Sequence, residues 1–171
     1  MSTMVVFESL WGNTRALAEA VAEGLGPAVT LLDVGRAPVP LPHEVDLLVV
    51  GGPTHGHGMS RPSTRETAAS DKNNNYATPT VDPGLREWID DLPGGEGRPA
   101  AAFDTRIDKP VLLTGSAAKG IARRLARRGF RVVEEPESFL VTTQNRLLEG
   151  QIDRAIQWGT ALASRCLTLT S

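Results

Sequence analysis

The sequence predicts an α/β protein in which a parallel sheet is covered by helices on both faces. Three observations carry that expectation: continuous apolar runs of strand length, amphipathic helical stretches that alternate with them, and Gly- or Pro-rich breaks between the two. Right-handed crossovers then bring each strand back parallel to its neighbours.

Thr3 to Phe7 is apolar and β-branched throughout, the pattern of a strand buried on both faces. A Gly-Asn-Thr turn follows, with Asn13 placed as a helix N-cap. From Thr14 to Leu25 the residues Ala16, Leu17, Ala20, Val21 and Leu25 recur at helical spacing, and Gly24, Gly26 and Pro27 close the helix. Ala28 to Leu32 reads as the second strand, followed by a proline-rich turn over Ala37 to Pro42. Val45 to Val50 is the third strand, ending at Gly51-Gly52-Pro53.

Pro53 to Asp82 turns polar and has no sustained period, so it reads as a long loop with a short helix over Pro62 to Ala69 and a mobile Asn73-Asn74-Asn75 run. Leu85, Trp88, Ile89 and Leu92 mark a helix closed by Pro93-Gly94-Gly95. Ala100 to Phe103 is the fourth strand. Ala117 to Arg128 is a helix with Ile121, Ala122, Leu125 and Ala126 inward and Lys119, Arg123, Arg124, Arg127 and Arg128 outward, most simply a solvated face. Phe130 to Val133 and Ser138 to Thr142 form a fifth strand interrupted around Pro136, and the last helix spans about Leu147 to Ala163. Trp88 and Trp158 fall on apolar stripes and read as core residues.

The 171 residues suit one domain over 1–171, and 40% hydrophobic with 22% charged residues excludes disorder throughout. A net charge of -2 argues against general binding to nucleic acid or an anionic membrane. The single cysteine, Cys166, excludes an internal disulfide and fits a reducing compartment. It is expected past the last helix, without an evident base. With no signal-peptide pattern and no long apolar stretch, the chain reads as cytoplasmic.

Ligands of such sheets bind beyond the carboxyl ends of the strands, which directs attention to the loops beginning at Glu8, Gly51 and Asp104. In the first, Ser9-Leu10-Trp11-Gly12-Asn13-Thr14 joins a buried strand to a helix N-terminus. Hydroxyls, an amide and free backbone N–H groups converge there, a setting for a phosphate ester that needs no lysine.

The Ser-x-x-Gly-Asn-Thr segment, Gly51-Gly52-Pro53-Thr54-His55-Gly56 after the third strand and Phe103-Asp104-Thr105 after the fourth together resemble the flavodoxin family over nearly the whole chain. The resemblance implies a three-layer sandwich with a five-stranded parallel sheet in order 2-1-3-4-5, binding FMN at its edge. It further implies that Ser9, Trp11, Gly12, Asn13 and Thr14 hold the phosphate, that Pro53, Thr54, His55 and Gly56 lie along one side of the ring, and that Phe103, Asp104, Thr105 and Arg106 lie along the other. The chain departs from the family at Trp11, which replaces a third hydroxyl. It also lacks a Tyr or Trp in the ring loops, leaving His55, His57 or Tyr76 as stand-ins.

A phosphorylation receiver is excluded by the missing acidic pair, phosphoacceptor Asp and Lys at the strand ends. A P-loop is excluded because Gly115 to Gly120 lacks the Gly-Lys-Ser/Thr ending. His55 and His57 have no third ligand at clear spacing, which argues against a metal site. The expected function is FMN-dependent electron transfer between redox partner proteins, with no catalytic residue assigned. An NAD(P)H-dependent flavin or quinone reductase and a flavin-free binding module of the same fold are the alternatives.

Overall fold

The computed structural model describes residues 1–169. In chain order the elements are β1 (Thr3–Phe7), α1 (Asn13–Leu25), β2 (Val29–Asp33), β3 (Leu47–His55), β4 (Gly58–Met59), α2 (Pro62–Ser70), α3 (Leu85–Asp91), β5 (Pro99–Ile107), α4 (Val111–Thr114), α5 (Ala117–Arg127), β6 (Arg131–Val132), β7 (Glu137–Val141) and α6 (Gln151–Leu169).

The sheet runs β2-β1-β3-β5-β6, with all of these neighbours parallel. β7 also pairs with β5 in parallel, along Phe103 to Ile107, while β6 pairs with Pro99 and Ala100. β6 and β7 thus share the last sheet position, as the interruption around Pro136 predicts, and the expected order 2-1-3-4-5 holds when they are taken as one strand.

Alternation along the central strands sends side chains to opposite faces. Met4 and Val6 join Leu48, Val50, Trp88, Ile89, Ile121 and Leu125 on one face; Val5 and Phe7 join Leu17, Val21, Val49, Phe103, Phe139 and Leu162 on the other. Helices α3 and α5 cover the first face and α1 and α6 the second. Burial on both sides explains why these strands read as unbroken apolar runs.

Several boundaries differ from the sequence expectation. β3 continues to His55 and β5 to Ile107, because Gly51, Gly52 and Pro53 stay in register with Phe103, Asp104 and Thr105. Gly24 lies inside α1 instead of ending it. A Cβ there would meet the backbone of Ile156, so the missing side chain allows α1 and α6 to approach closely. Helix α6 starts at Gln151 and runs to Leu169, which places Cys166 inside it, buried against the second core. Burial pushes the Cys166 thiol above its ordinary range. The stretch between β5 and α5, expected as loop, contains the short helix α4.

Trp88 is buried and its Nε1 donates to the carbonyl of Pro38 at 3.3 Å. Trp158 is partly buried, edge-on to Phe103 and Phe139 with ring centroids 6.0 and 6.3 Å away. Among the described residues no helix is long and apolar enough to cross a membrane, and no group of three or more His, Cys, Asp or Glu is placed to hold a metal ion.

Candidate cofactor site

The loop from β1 to α1 is built around Ser9. Its side chain is fully buried, and Oγ accepts from the N–H groups of Gly12 (3.1 Å) and Arg15 (3.3 Å). This hydroxyl shapes the turn from within. Gly12 is the helix N-cap, at φ 93°, a conformation that strongly favours glycine. Asn13 is therefore the first helical residue and not the cap; its Nδ2 donates to the carbonyl of Asn145 at 2.7 Å, tying α1 to the loop after β7. Gly12 has no side chain to cap α1, and Ser9 Oγ reaches the N–H of Arg15 in its place. Among the described residues the N–H groups of Trp11, Asn13 and Thr14 have no intramolecular acceptor, so the positive end of the helix presents open donors.

The second loop is set by a tight reversal. β4 folds back on the end of β3, pairing Met59 with Thr54 and Gly58 with His55, and the turn passes through Gly56 and His57 at φ 52° and 69°. Thr54 Oγ1 donates to Asp104 Oδ2 at 3.1 Å and accepts from Ala117 N–H at 2.9 Å. Burial lowers the pKa of His55 below its ordinary 6.5.

In the third loop the direction of each residue alternates. Phe103 points into the core beside Phe139, with its ring edge-on at 6.0 Å. Asp104 is also fully buried; Oδ2 accepts from Ser116 Oγ (2.7 Å) and Ala118 N–H (2.8 Å), holding the start of α5. Oδ1 has no partner among the described residues. Thr105 stands 3.1 Å from Thr14, oxygen to oxygen. Arg106 Nη1 donates to the carbonyl of Lys109 at 2.7 Å, while its buried Nε has no partner among the described residues.

These loops surround a cavity of about 450 Å³. Of the residues expected from sequence, Trp11, Asn13, Thr14, Pro53, Thr54, His55, Gly56, Thr105 and Arg106 line it. Ser9, Gly12, Phe103 and Asp104 do not, and the bonds above show them supporting the walls from behind. Phe103 and Asp104, which the resemblance set along the ring, do not line this cavity: one packs against Phe139 and the other is bonded to the start of α5, on opposite faces of β5. The structure adds Leu10, His57, Ile107, Lys109, Leu113, Thr114, Val141 and Asn145 to the lining. Stretches 107–114 and 141–145 come from separate connections with no shared motif, so only their meeting in space identifies them. Tyr76 is not in this cavity. Its ring lies over Gly12, where a Cβ would stand 3.1 Å from Cδ2, and it lines a separate cavity of about 540 Å³ with Arg15, Asp33 and Thr80.

Segment 53–82, read as a long loop, is anchored against the first loop. Thr80 N–H donates to Ser9 carbonyl at 2.8 Å, and Asn74 Nδ2 donates to the carbonyls of Leu10 and Ala68, both at 2.8 Å. The Asn73-Asn74-Asn75 run, expected to be mobile, is thus tied down through Asn74. Glu8 is buried beneath; its carboxylate accepts from Ser60 Oγ and from Leu85 N–H (2.9 Å). Fully buried Arg65 donates to Ser60 Oγ (3.2 Å), Glu87 Oε2 (3.0 Å) and Val81 carbonyl (2.6 Å). Burial pushes the Glu8 carboxyl above its ordinary 4.5, despite the opposing pull of these hydrogen bonds and of Arg65.

The flavodoxin family model matches residues 5–86, which span the first two loops and the anchoring segment. The chain has a flavodoxin-like fold. Solved structures with the same fold include a flavodoxin from the domain Archaea, 19% identical with TM-score 0.66, the match covering 98% of this chain and 99% of that one. Oxidised flavodoxin 1 from Bacillus cereus is 17% identical with TM-score 0.65 and 98% coverage of both chains. The flavodoxin of Streptococcus pneumoniae TIGR4 is 19% identical with TM-score 0.65, covering 96% of this chain and 99% of that one. No curated protein sequence matches the chain.

Proposed function

We propose that this flavodoxin-like protein binds FMN and carries electrons between protein partners. The family match and the fold support a flavin-binding redox function. The observation that carries the finer reading is the set of open N–H groups at Trp11, Asn13 and Thr14, at the mouth of a cavity walled by the 53–57 and 105–106 stretches.

The residues fit the cofactor. A phosphate accepts hydrogen bonds and gains from the positive end of α1. The Thr14 hydroxyl adds a donor, while Asn13 is held in place by Asn145. The cavity falls within the usual size of small-molecule sites, and its Trp11, Pro53, His55 and Leu113 offer apolar or flat surface to an isoalloxazine ring. When bound, FMN supplies the one- and two-electron redox chemistry. The chain's own residues then bind and orient: Thr54, fixed between Asp104 and Ala117, holds the loop that presents His55 and Gly56. Half-buried His55, whose pKa burial lowers, can carry a proton at the cavity wall.

FMN titration of the flavin-free protein, read by quenching of flavin fluorescence, tests the reading. Saturable one-to-one uptake is expected. No uptake at about ten micromolar, near -7 kcal/mol of binding, would sink it.

A further inference from the structure

The mouth of the cavity carries an exposed apolar turn set among cations. Leu112 and Leu113 of α4 are 92% and 62% exposed, although both belong to the size class that normally fills cores. Leu113 and Ile107 also line the cavity, so the apolar patch is continuous with its rim. Four titratable side chains line that cavity, Arg106, Lys109, His55 and His57, with no carboxylate among them. Asp108 is the one carboxylate in the 106–114 stretch. Arg146 is exposed next to the lining residue Asn145, and neither it nor Lys109 has an ion-pair partner among the described residues. The whole chain carries -2, so this basic rim is a local feature.

The geometry points to α4 and its basic surroundings as the docking surface for an acidic electron-transfer protein with an apolar contact patch. The inference rests on the redox reading above for the kind of partner, and on the charge pattern for its sign. An apolar centre ringed by one sign of charge is how transient complexes combine short-range burial with steering, and an acidic partner meets Lys109 and Arg146 without like-charge cost. A second copy using the same face in a two-fold pairing would bring these cations close to their own equivalents. A membrane is disfavoured because a four-residue turn beside a concave mouth lacks the long apolar face that interfacial helices bury.

The experiment uses a plant-type [2Fe–2S] ferredoxin as the acidic probe and cytochrome c as the basic control. Binding is measured by calorimetry to the FMN-loaded and the flavin-free chain. Expected is one-to-one binding of ferredoxin that weakens about tenfold between about 20 and about 200 mM salt. Leu112→Ser and Lys109→Glu should each weaken it at least about fivefold, with FMN uptake by Leu112→Ser unchanged. The docking surface is overturned by preference for cytochrome c, insensitivity to salt, full binding by Leu112→Ser, or a Leu112-dependent homodimer in sedimentation. Cosedimentation with phosphatidylserine vesicles that is lost in Leu112→Ser would overturn it in favour of a membrane. Failure of FMN uptake in the separate titration overturns the electron-transfer identity of the partner, whatever the calorimetry reads.

Discussion

The hydroxyl oxygens of Thr14 and Thr105 stand 3.1 Å apart, joining the first turn of α1 to the carboxyl end of β5. Two loops that are 91 positions apart in the chain therefore share one hydrogen bond at the cavity wall. One hydroxyl donates to the other, leaving the second hydrogen for a ligand.

Replacing Thr14 by Val should weaken FMN about tenfold or more while changing riboflavin affinity much less, because only FMN carries the phosphate this hydroxyl would meet. Loss of the Thr105 contact should also lower stability by about 1 kcal/mol. Parallel fluorescence titrations with both flavins check this. Equal losses for the two would move the phosphate elsewhere.

Asp104 has a different role from the one its place in the third loop suggests. Its buried carboxylate accepts from Thr54, Ser116 and the N–H of Ala118. Asp104→Ala should cost about 2–4 kcal/mol in urea unfolding by stranding those donors. Riboflavin affinity of the folded variant should fall less than the stability loss alone implies. A stable variant with abolished flavin binding would instead argue for direct contact.

Glu8 should make stability depend on pH in an unusual direction for a carboxylate. Its folded pKa is raised above 4.5, so the folded state holds its proton where the unfolded chain has released it. That contribution is fully present below 4.5 and is lost as pH rises through the folded value. Glu8→Gln, which keeps an acceptor for Leu85 N–H, should therefore gain on the parent protein as pH goes from 4.5 to 7.5. Urea midpoints of both proteins across that range test the sign. A gap that shrinks with pH would show that Arg65 outweighs burial.

His55 behaves oppositely. Its pKa is depressed by burial, so its contribution is present above 6.5 and is lost as pH falls through the lower folded value. Proton NMR should find its imidazole titrating below 6.5, and His55→Gln should flatten the acid limb of stability in that window. An imidazole titrating above 6.5 would contradict desolvation as the dominant influence on it.

Much of the architecture was legible because periodicity is local. Unbroken apolar runs at 4–7 and 47–50, and the helical spacing of Leu17, Val21, Ile121 and Leu125, follow from which faces each element buries. The Ser-x-x-Gly-Asn-Thr turn was equally readable, since a tight strand-to-helix turn constrains adjacent residues. The extension of β3 through Gly51, Gly52 and Pro53 was hidden, because those residues are poor strand formers held by their ladder with β5. Segment 53–82 looked like loop because its order comes from side chains reaching to Ser9, Leu10 and Glu8.

From the sequence alone came the layered fold, the order of its parts and the three strand ends where a ligand would sit, since each depends on residues that are neighbours in the chain. Tertiary structure alone decided which of those residues face the cavity. Phe103 and Asp104 lie deep enough along β5 for both faces to be covered, by Phe139 and by the start of α5, whereas Thr105 and Arg106 reach the opening, and chain packing brings Leu113 and Asn145 to the same wall. Side-chain direction at a strand end is set by pairing partners far away in sequence, so it emerges only when the sheet is assembled.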